Sequence, residues 1–168
     1  MKRSYLSILT GLLLVVGMAA CTNDEVAPQQ EFFVSAEKDG QTWDKGGKGI
    51  YSKARGEFLV YSPDTLPYTE TEVLSLRFFL PRDQSLSAVR ALPAEWSVLI
   101  GGDVVSNRYQ TADSTSLPSL TVTRLDTVQK IVEGRFKATL RRDKHYTQEV
   151  QLMHFTKGAF RVHYQEYP

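Results

Sequence analysis

From Val132 to Leu140 the chain alternates without a break. Val132, Gly134, Phe136, Ala138 and Leu140 take one side, and Glu133, Arg135, Lys137 and Thr139 take the other. A period of two is the period of a β-strand, whose successive side chains point to opposite faces; a helix would scatter these residues around its axis. The segment can satisfy both halves only by lying on an apolar core with its charged face in water. That constraint fixes the kind of fold the rest of the chain must complete.

The rest has the same character. EFFVSAEKDGQTW reads as a strand, a turn at Asp39-Gly40 and a second strand starting at Trp43. KGGKG is a glycine-rich break; its Gly46–Gly49 portion lacks the G-x-x-x-x-G-K-[ST] pattern and the following helix of a phosphate loop, so a β-connection is expected. Two short strands flank Ala54 to Gly56 and stop at Pro63, and Leu74, Leu76, Phe78 and Leu80 share one side of the next. Gly101-Gly102 supplies the positive φ values of a tight hairpin turn, and PSLTVTRLD is a further strand. The best helical candidate, Gln84 to Ala91, is brief and ends before Pro93.

Near the C-terminus, QLMHFTKGAFRVHY reads as a hairpin about Lys157-Gly158. That register sets Phe155 against Phe160, Met153 against Val162 and Gln151 against Tyr164, with an apolar stripe in the core. It also places His154 across from Arg161 and leaves His154 and His163 diagonal on the other face. Gly134, inside its strand, is expected at a bulge or bend. The reading is all-β: one antiparallel domain, a sandwich or a partly closed barrel of about eight or nine strands, over residues 31–168.

What precedes that domain is an address. Lys2 and Arg3 lead an uncharged run from Tyr5 to Ala20, too short for a comfortable membrane span, and Met18-Ala19-Ala20 runs into Cys21, the only cysteine of 168 residues. One cysteine makes no internal disulfide. MAAC resembles the bacterial lipoprotein signal: residues 1–20 are the signal peptide, and Cys21 is the thiol that takes the acyl chains. Several acyl chains on one residue anchor stably where a single chain does not. Residues 21–30 form a polar tether, and Asp24 and Glu25 resemble the acidic export signal of Bacteroidota lipoproteins sent to the outer face of the outer membrane.

DGQTW after a first strand, LTVTRLD followed by IVEGRFKATL, and a closing KGAFRVHY together resemble a domain family of unknown function in Bacteroidota lipoproteins. The resemblance covers most of residues 31–165 and implies an all-β domain on an outer-membrane lipid anchor. It transfers no catalytic residue.

Charge narrows the function classes. Without Lys2 and Arg3, 18 basic residues of the original 20 face 19 acidic ones, so binding of nucleic acid by a general basic field is not expected. The distribution is uneven: residues 22–129 hold 10 basic and 15 acidic side chains, and residues 130–168 hold 8 and 4. Arg135, Lys137, Arg141, Arg142 and Lys144, with Arg161 and His163 on the neighbouring strand, make a basic stripe. Arg135, Lys137, Arg141, Arg161 and His163 are the candidate anion-binding face; the leading reading of the stripe is the solvent face of an exposed sheet, with long charged side chains protecting its edge. No G-x-S-x-G or H-E-x-x-H occurs, and the diagonal histidines lack further ligands, so no catalytic residue, metal or cofactor is expected.

The leading expectation is a non-enzymatic surface module with a glycan or protein partner, held to the membrane by its anchor. Trp43, Tyr51, Tyr61, Trp96 and Tyr109 are available to stack on sugars, although tryptophans in small β domains more often fill the core. The alternative is a lipocalin-like carrier whose interior, lined by Phe78, Leu80, Phe136 and Phe160, holds an apolar ligand. The anchor is the sharpest of these statements: Cys21→Ala should move the protein from the detergent phase to the aqueous phase on partitioning, and a variant that stays in detergent refutes it.

Overall fold

The structure, a computed structural model, describes residues 30–63, 70–81 and 85–168. The expected signal peptide, Cys21 and all of the expected tether but Gln30 lie outside the described residues. Eleven strands follow one another: β1 (Phe33–Lys38), β2 (Gln41–Gly46), β3 (Lys48–Ser52), β4 (Glu57–Tyr61), β5 (Glu70–Phe79), β6 (Arg90–Ala91), β7 (Glu95–Ile100), β8 (Val104–Gln110), β9 (Ser119–Asp126), β10 (Ile131–Arg142) and β11 (Leu152–Tyr167). They form one sheet in the order β2-β1-β11-β3-β4-β5-β7-β8-β10-β9, with β6 on β5. Because β10 also pairs with β11, seven of these strands close on themselves, and β1–β2 and β9 splay from the ring. The seam is narrow: β8 meets β10 only at Arg141↔Gln110 and Arg142↔Tyr109. The architecture is a partly closed barrel.

Two of the turns expected from the sequence are in place. Asp39 and Gly40 have φ of 50° and 83°, Gly101 and Gly102 have 65° and 90°, and each pair reverses the chain between adjoining strands. Three expectations need correction. There are more strands than eight or nine, partly because two-residue pieces such as β6 could not be distinguished from loop. The sheet is mixed, since β3 runs parallel to β11. The helical candidate is a single 3-10 turn, Leu86–Ala88, after which Arg90–Ala91 pairs with β5; Gln84 lies outside the described residues.

The largest correction is the hairpin at Lys157-Gly158. Leu152–Tyr167 is one strand of 16 residues, and Lys157 is a bulge within it. Along β10 the partner of Phe136 is Gly158 and that of Ala138 is Phe155; along β1, Ser35 meets Ala159 and Glu37 meets Thr156. Two steps on each neighbour match three on β11. Lys157 absorbs the extra residue at φ 52°, the left-handed region typical of such a bulge. A tight hairpin of the favoured type would need Gly158 at positive φ, and it is not among the positive-φ glycines.

Gly158 is required for another reason. A Cβ there would lie 2.6 Å from both the ring and the carbonyl oxygen of Phe136, the residue opposite. The reciprocal pair stands one step along: a Cβ on Gly134 would lie 2.4 Å from the ring of Phe160, its partner on β11. Each phenylalanine thus covers the glycine facing it. The bend expected at Gly134 is present as a register shift against β9, between Glu133↔Arg124 and Gly134↔Val122.

The bulge reverses parity, as a hairpin would, so the expected core residues are right although their pairing is not. Met153 and Phe155 point inward before it, and Phe160, Val162 and Tyr164 after it. Inside, Phe58 stacks on Phe78 with ring centroids 5.1 Å apart and meets Tyr164 edge-on at 4.9 Å. Trp43, Trp96, Val34, Val60, Leu74, Leu76 and Leu140 complete the same cluster. Each large apolar side chain buried this way contributes roughly 1.5–3 kcal/mol. At the end of the barrel near β1–β2, Glu72 accepts hydrogen bonds from Lys38 Nζ and Trp43 Nε1, and Lys38 lies 4.7 Å over the Trp96 ring.

Gly158→Ala should therefore lower unfolding stability by about 1–3 kcal/mol, because the added methyl has no room. Lys157→Asn, which keeps a residue tolerant of positive φ, should change it by about 0.5 kcal/mol or less. Urea unfolding of both variants checks the pair; equal effects would mean that the bulge geometry is misread.

Candidate functional site

Because β10 buries one face completely, its other face is set by the same alternation: Glu133, Arg135, Lys137, Thr139 and Arg141 point outward. The neighbours supply the cross-strand rows. Thr121 of β9 and Ala159 of β11 flank Arg135, and Ser119 flanks Lys137. His154 stands opposite Thr139, with Nδ1 3.1 Å from the threonine hydroxyl, and Leu152 stands opposite Arg141. Both edges of β10 are occupied from Ile131 to Lys137, so whatever meets that part of the face meets side chains rather than free backbone.

The site residues read from the sequence divide into two groups. Arg135, Lys137 and Arg141 share the face, and among the described residues none of them has an ion-pair partner. Arg161 sits opposite Glu133 and is bound to it, so it does not extend the row as a free cation. Arg124 of β9 reaches the same carboxylate at 3.3 Å and Asp126 at 3.1 Å. His163 is opposite Ile131, with its ring edge-on to Phe32 at 6.0 Å. Arg142, also in the expected stripe, turns aside to bond Asn107 at 3.0 Å and Gln151 at 2.7 Å.

The histidine pair is a further correction. On one continuous strand His154 and His163 are nine residues apart, roughly 30 Å at the strand rise, rather than diagonal neighbours. Among the described residues no group of three His, Cys, Asp or Glu side chains is placed to hold a metal.

Lys157 is the residue that the sequence reading missed. As part of the bulge it joins the outer face beside Lys137, where its ammonium binds Glu37 of β1 at 2.6 Å. That hydrogen bond holds the Glu37 carboxyl below the usual carboxylate range. The sequence signal there, a lysine followed by glycine, suits a turn as well as a bulge, and only the structure shows Lys157 at φ 52° within a continuous strand.

Two shallow depressions lie on this face and meet at Lys137. One, of about 500 Å³, is rimmed by Ser119, Thr121, Arg135, Lys137 and Lys157. Gly158 and Ala159, with nothing beyond a Cβ, leave it open. The other, of about 520 Å³, runs on past Thr139, Arg141, Leu152, His154 and Thr156. A separate cavity of about 520 Å³ on the β3–β5 side mixes Arg55, Glu57, Arg77 and Glu95, and Arg77 there is bound to Glu57 at 3.3 Å. Among the described residues, the β10 face combines concavity with a run of cations that have no ion-pair partner.

The interior offers no comparable opening around the residues expected to line a carrier. Phe78, Leu80, Phe136 and Phe160 are each at most 2% exposed. Phe78 lies between Phe58 and Phe160, whose ring centroids are 5.1 and 6.3 Å from its own. Of the aromatics available for sugar stacking, Trp43 and Trp96 are buried in the core, and Tyr51 and Tyr109 pack against it. Tyr61 stays half-buried on β4. Burial, aided by the Glu166 charge, pushes the Tyr164 phenol up to about 12, so it stays protonated at any physiological pH.

No protein family, curated protein or solved structure matches the chain. The site's own electrostatics supply a test. Glu133→Gln removes the carboxylate that occupies Arg124 and Arg161, so retention on a sulfonate cation exchanger should rise more than for Glu149→Gln, which makes the same change of net charge on an exposed loop. Stability should fall by about 1 kcal/mol or less, as for other solvent-exposed pairs. Equal retention of the two variants would show that Glu133 screens nothing.

Proposed function

We propose that the protein is a lipid-anchored, non-enzymatic binding module of the outer membrane, facing outward, which engages an anionic glycan or protein partner through the outer face of β10. The observation that carries this reading is the row Arg135, Lys137, Arg141: three outward cations without ion partners among the described residues, on a sheet whose other outer cations are largely tied to carboxylates. Cations left unpaired side by side repel one another, and an anion resting across them relieves that repulsion. The anchor on Cys21 and the kinship with Bacteroidota surface lipoproteins belong to the same proposal; they rest on the sequence signals and agree with the all-β domain.

A carrier function would require Phe78 and Phe160 to give up the ring contacts that fill the barrel. The outer face needs no such rearrangement. Nucleic acid fits this face poorly, because the two depressions present no exposed Phe, Tyr or Trp side chain on which bases could stack.

Exposed contacts of this kind contribute about 1 kcal/mol or less each, and salt at physiological strength screens them over about 8 Å. Binding must therefore be multivalent and salt-sensitive. On a column carrying an anionic polysaccharide, the protein should elute at higher salt than the Arg135→Glu, Lys137→Glu double variant. Coincident elution would overturn the proposal.

A further inference from the structure

The two depressions on either side of Lys137 form one groove, and we infer that its ligand is an extended acidic polysaccharide lying along β10. The inference rests on the outer-face reading above and adds the ligand class. Three observations converge on it. First, the cations are spaced for an extended polyanion: Arg135 to Arg141 is six strand steps, roughly 20 Å, with Lys137 between them. An isolated phosphate or carboxylate would engage only one end of the row.

Second, the cations alternate with hydroxyls. Ser119 and Thr121 line the groove beside Arg135 and Lys137, and Thr139 and Thr156 line it toward Arg141. Hydroxyl groups both donate and accept, whereas lysine and arginine only donate. Thr139 already meets His154 and Thr156 donates to Glu37, and a ligand made of anionic groups alone would leave the acceptor capacity of Ser119 and Thr121 unused. A chain bearing carboxylates or sulfates together with its own hydroxyls uses both. Leu152, half exposed opposite Arg141, adds an apolar surface of the kind that the C–H face of a sugar ring covers.

Third, the groove lies within the sheet. From Ile131 to Lys137 β10 is paired with both β9 and β11, so at the Arg135 and Lys137 end a peptide cannot add itself as a strand. Beyond Arg135 the row of unpaired cations ends, because Arg124 and Arg161 are both held by Glu133. At the side, Glu37 draws the Lys157 ammonium toward β1, so the lysine stands at the rim.

The test is titration calorimetry of the full-length protein in detergent micelles with oligogalacturonates of increasing length, polyphosphate of matched charge, and neutral dextran. Galacturonate affinity should rise with length until the chain spans about 20 Å and then level off. Lys137→Gln, at the junction, should weaken it about fivefold, and Arg124→Gln, the same loss of charge on the same face but at a residue already tied to Glu133, by less than about twofold. Thr121→Val should weaken galacturonate and leave polyphosphate unchanged, with circular dichroism confirming that each variant is folded. Polyphosphate binding as tightly as galacturonate would overturn the polysaccharide assignment while the outer-face reading stands. Absence of binding to both polyanions would overturn that reading as well.

Discussion

A strand of 16 residues cannot keep one face on a core while its neighbours change unless something resets its register. β11 lies against β10 from Leu152 to His163, against β1 from Phe155 to Arg161 and against β3 from His163 to Tyr167. The Lys157 bulge is the reset. It turns the strand's inward residues from Met153 and Phe155 to Phe160, Val162 and Tyr164, and it increases the local twist. Without it, keeping Met153 and Phe155 inside would aim Lys157 and Arg161 into the barrel, and keeping Phe160 and Val162 inside would aim His154 and Thr156 there. The crossed Phe136–Gly158 and Phe160–Gly134 pairs fill the space beside it, so the irregularity is packed as tightly as the regular ladder.

The same device shapes the outside. Placing small residues at 158 and 159 leaves a depression on the outer face, and the bulge sets Lys157 on its rim. Neighbouring carboxylates then decide which cations stay available. Glu133 takes Arg124 and Arg161, Glu37 takes Lys157, and Glu166 takes Lys53 and Lys130. What remains is a short row set off by neutral ground rather than a broad positive field. That pattern suits a ligand with regularly placed charges and resists indiscriminate binding of polyanions, consistent with a protein whose net charge is near zero.

The interior carries the stability and the exterior the chemistry. The stacked run of Tyr51, Phe58 and Phe78, with Tyr164 edge-on to Phe58, fills one part of the barrel. Trp43 edge-on to Phe155, with Lys38 and Glu72 beside it, fills another. Aromatic pairs of this geometry add about 0.5–1.5 kcal/mol each beyond their burial. A packed interior of that kind is a scaffold, which leaves variation in recognition to side chains pointing outward.

The sequence by itself determined which residues are inside. The alternation in β10, the Leu74–Leu80 stripe in β5 and the glycine turns are local, because side-chain parity and φ preferences depend only on neighbouring residues. It also determined that Arg135, Lys137 and Arg141 share one face. Tertiary structure alone decided that Lys157-Gly158 is a bulge rather than a turn, since both reverse parity and give the same core list; the choice depends on β1 and β3, more than a hundred residues away in the chain. The fate of each cation was settled the same way. Arg161 is spent on Glu133 and His154 is parted from His163 because a continuous β11 sets which strand positions face one another, and that pairing is a property of the closed sheet.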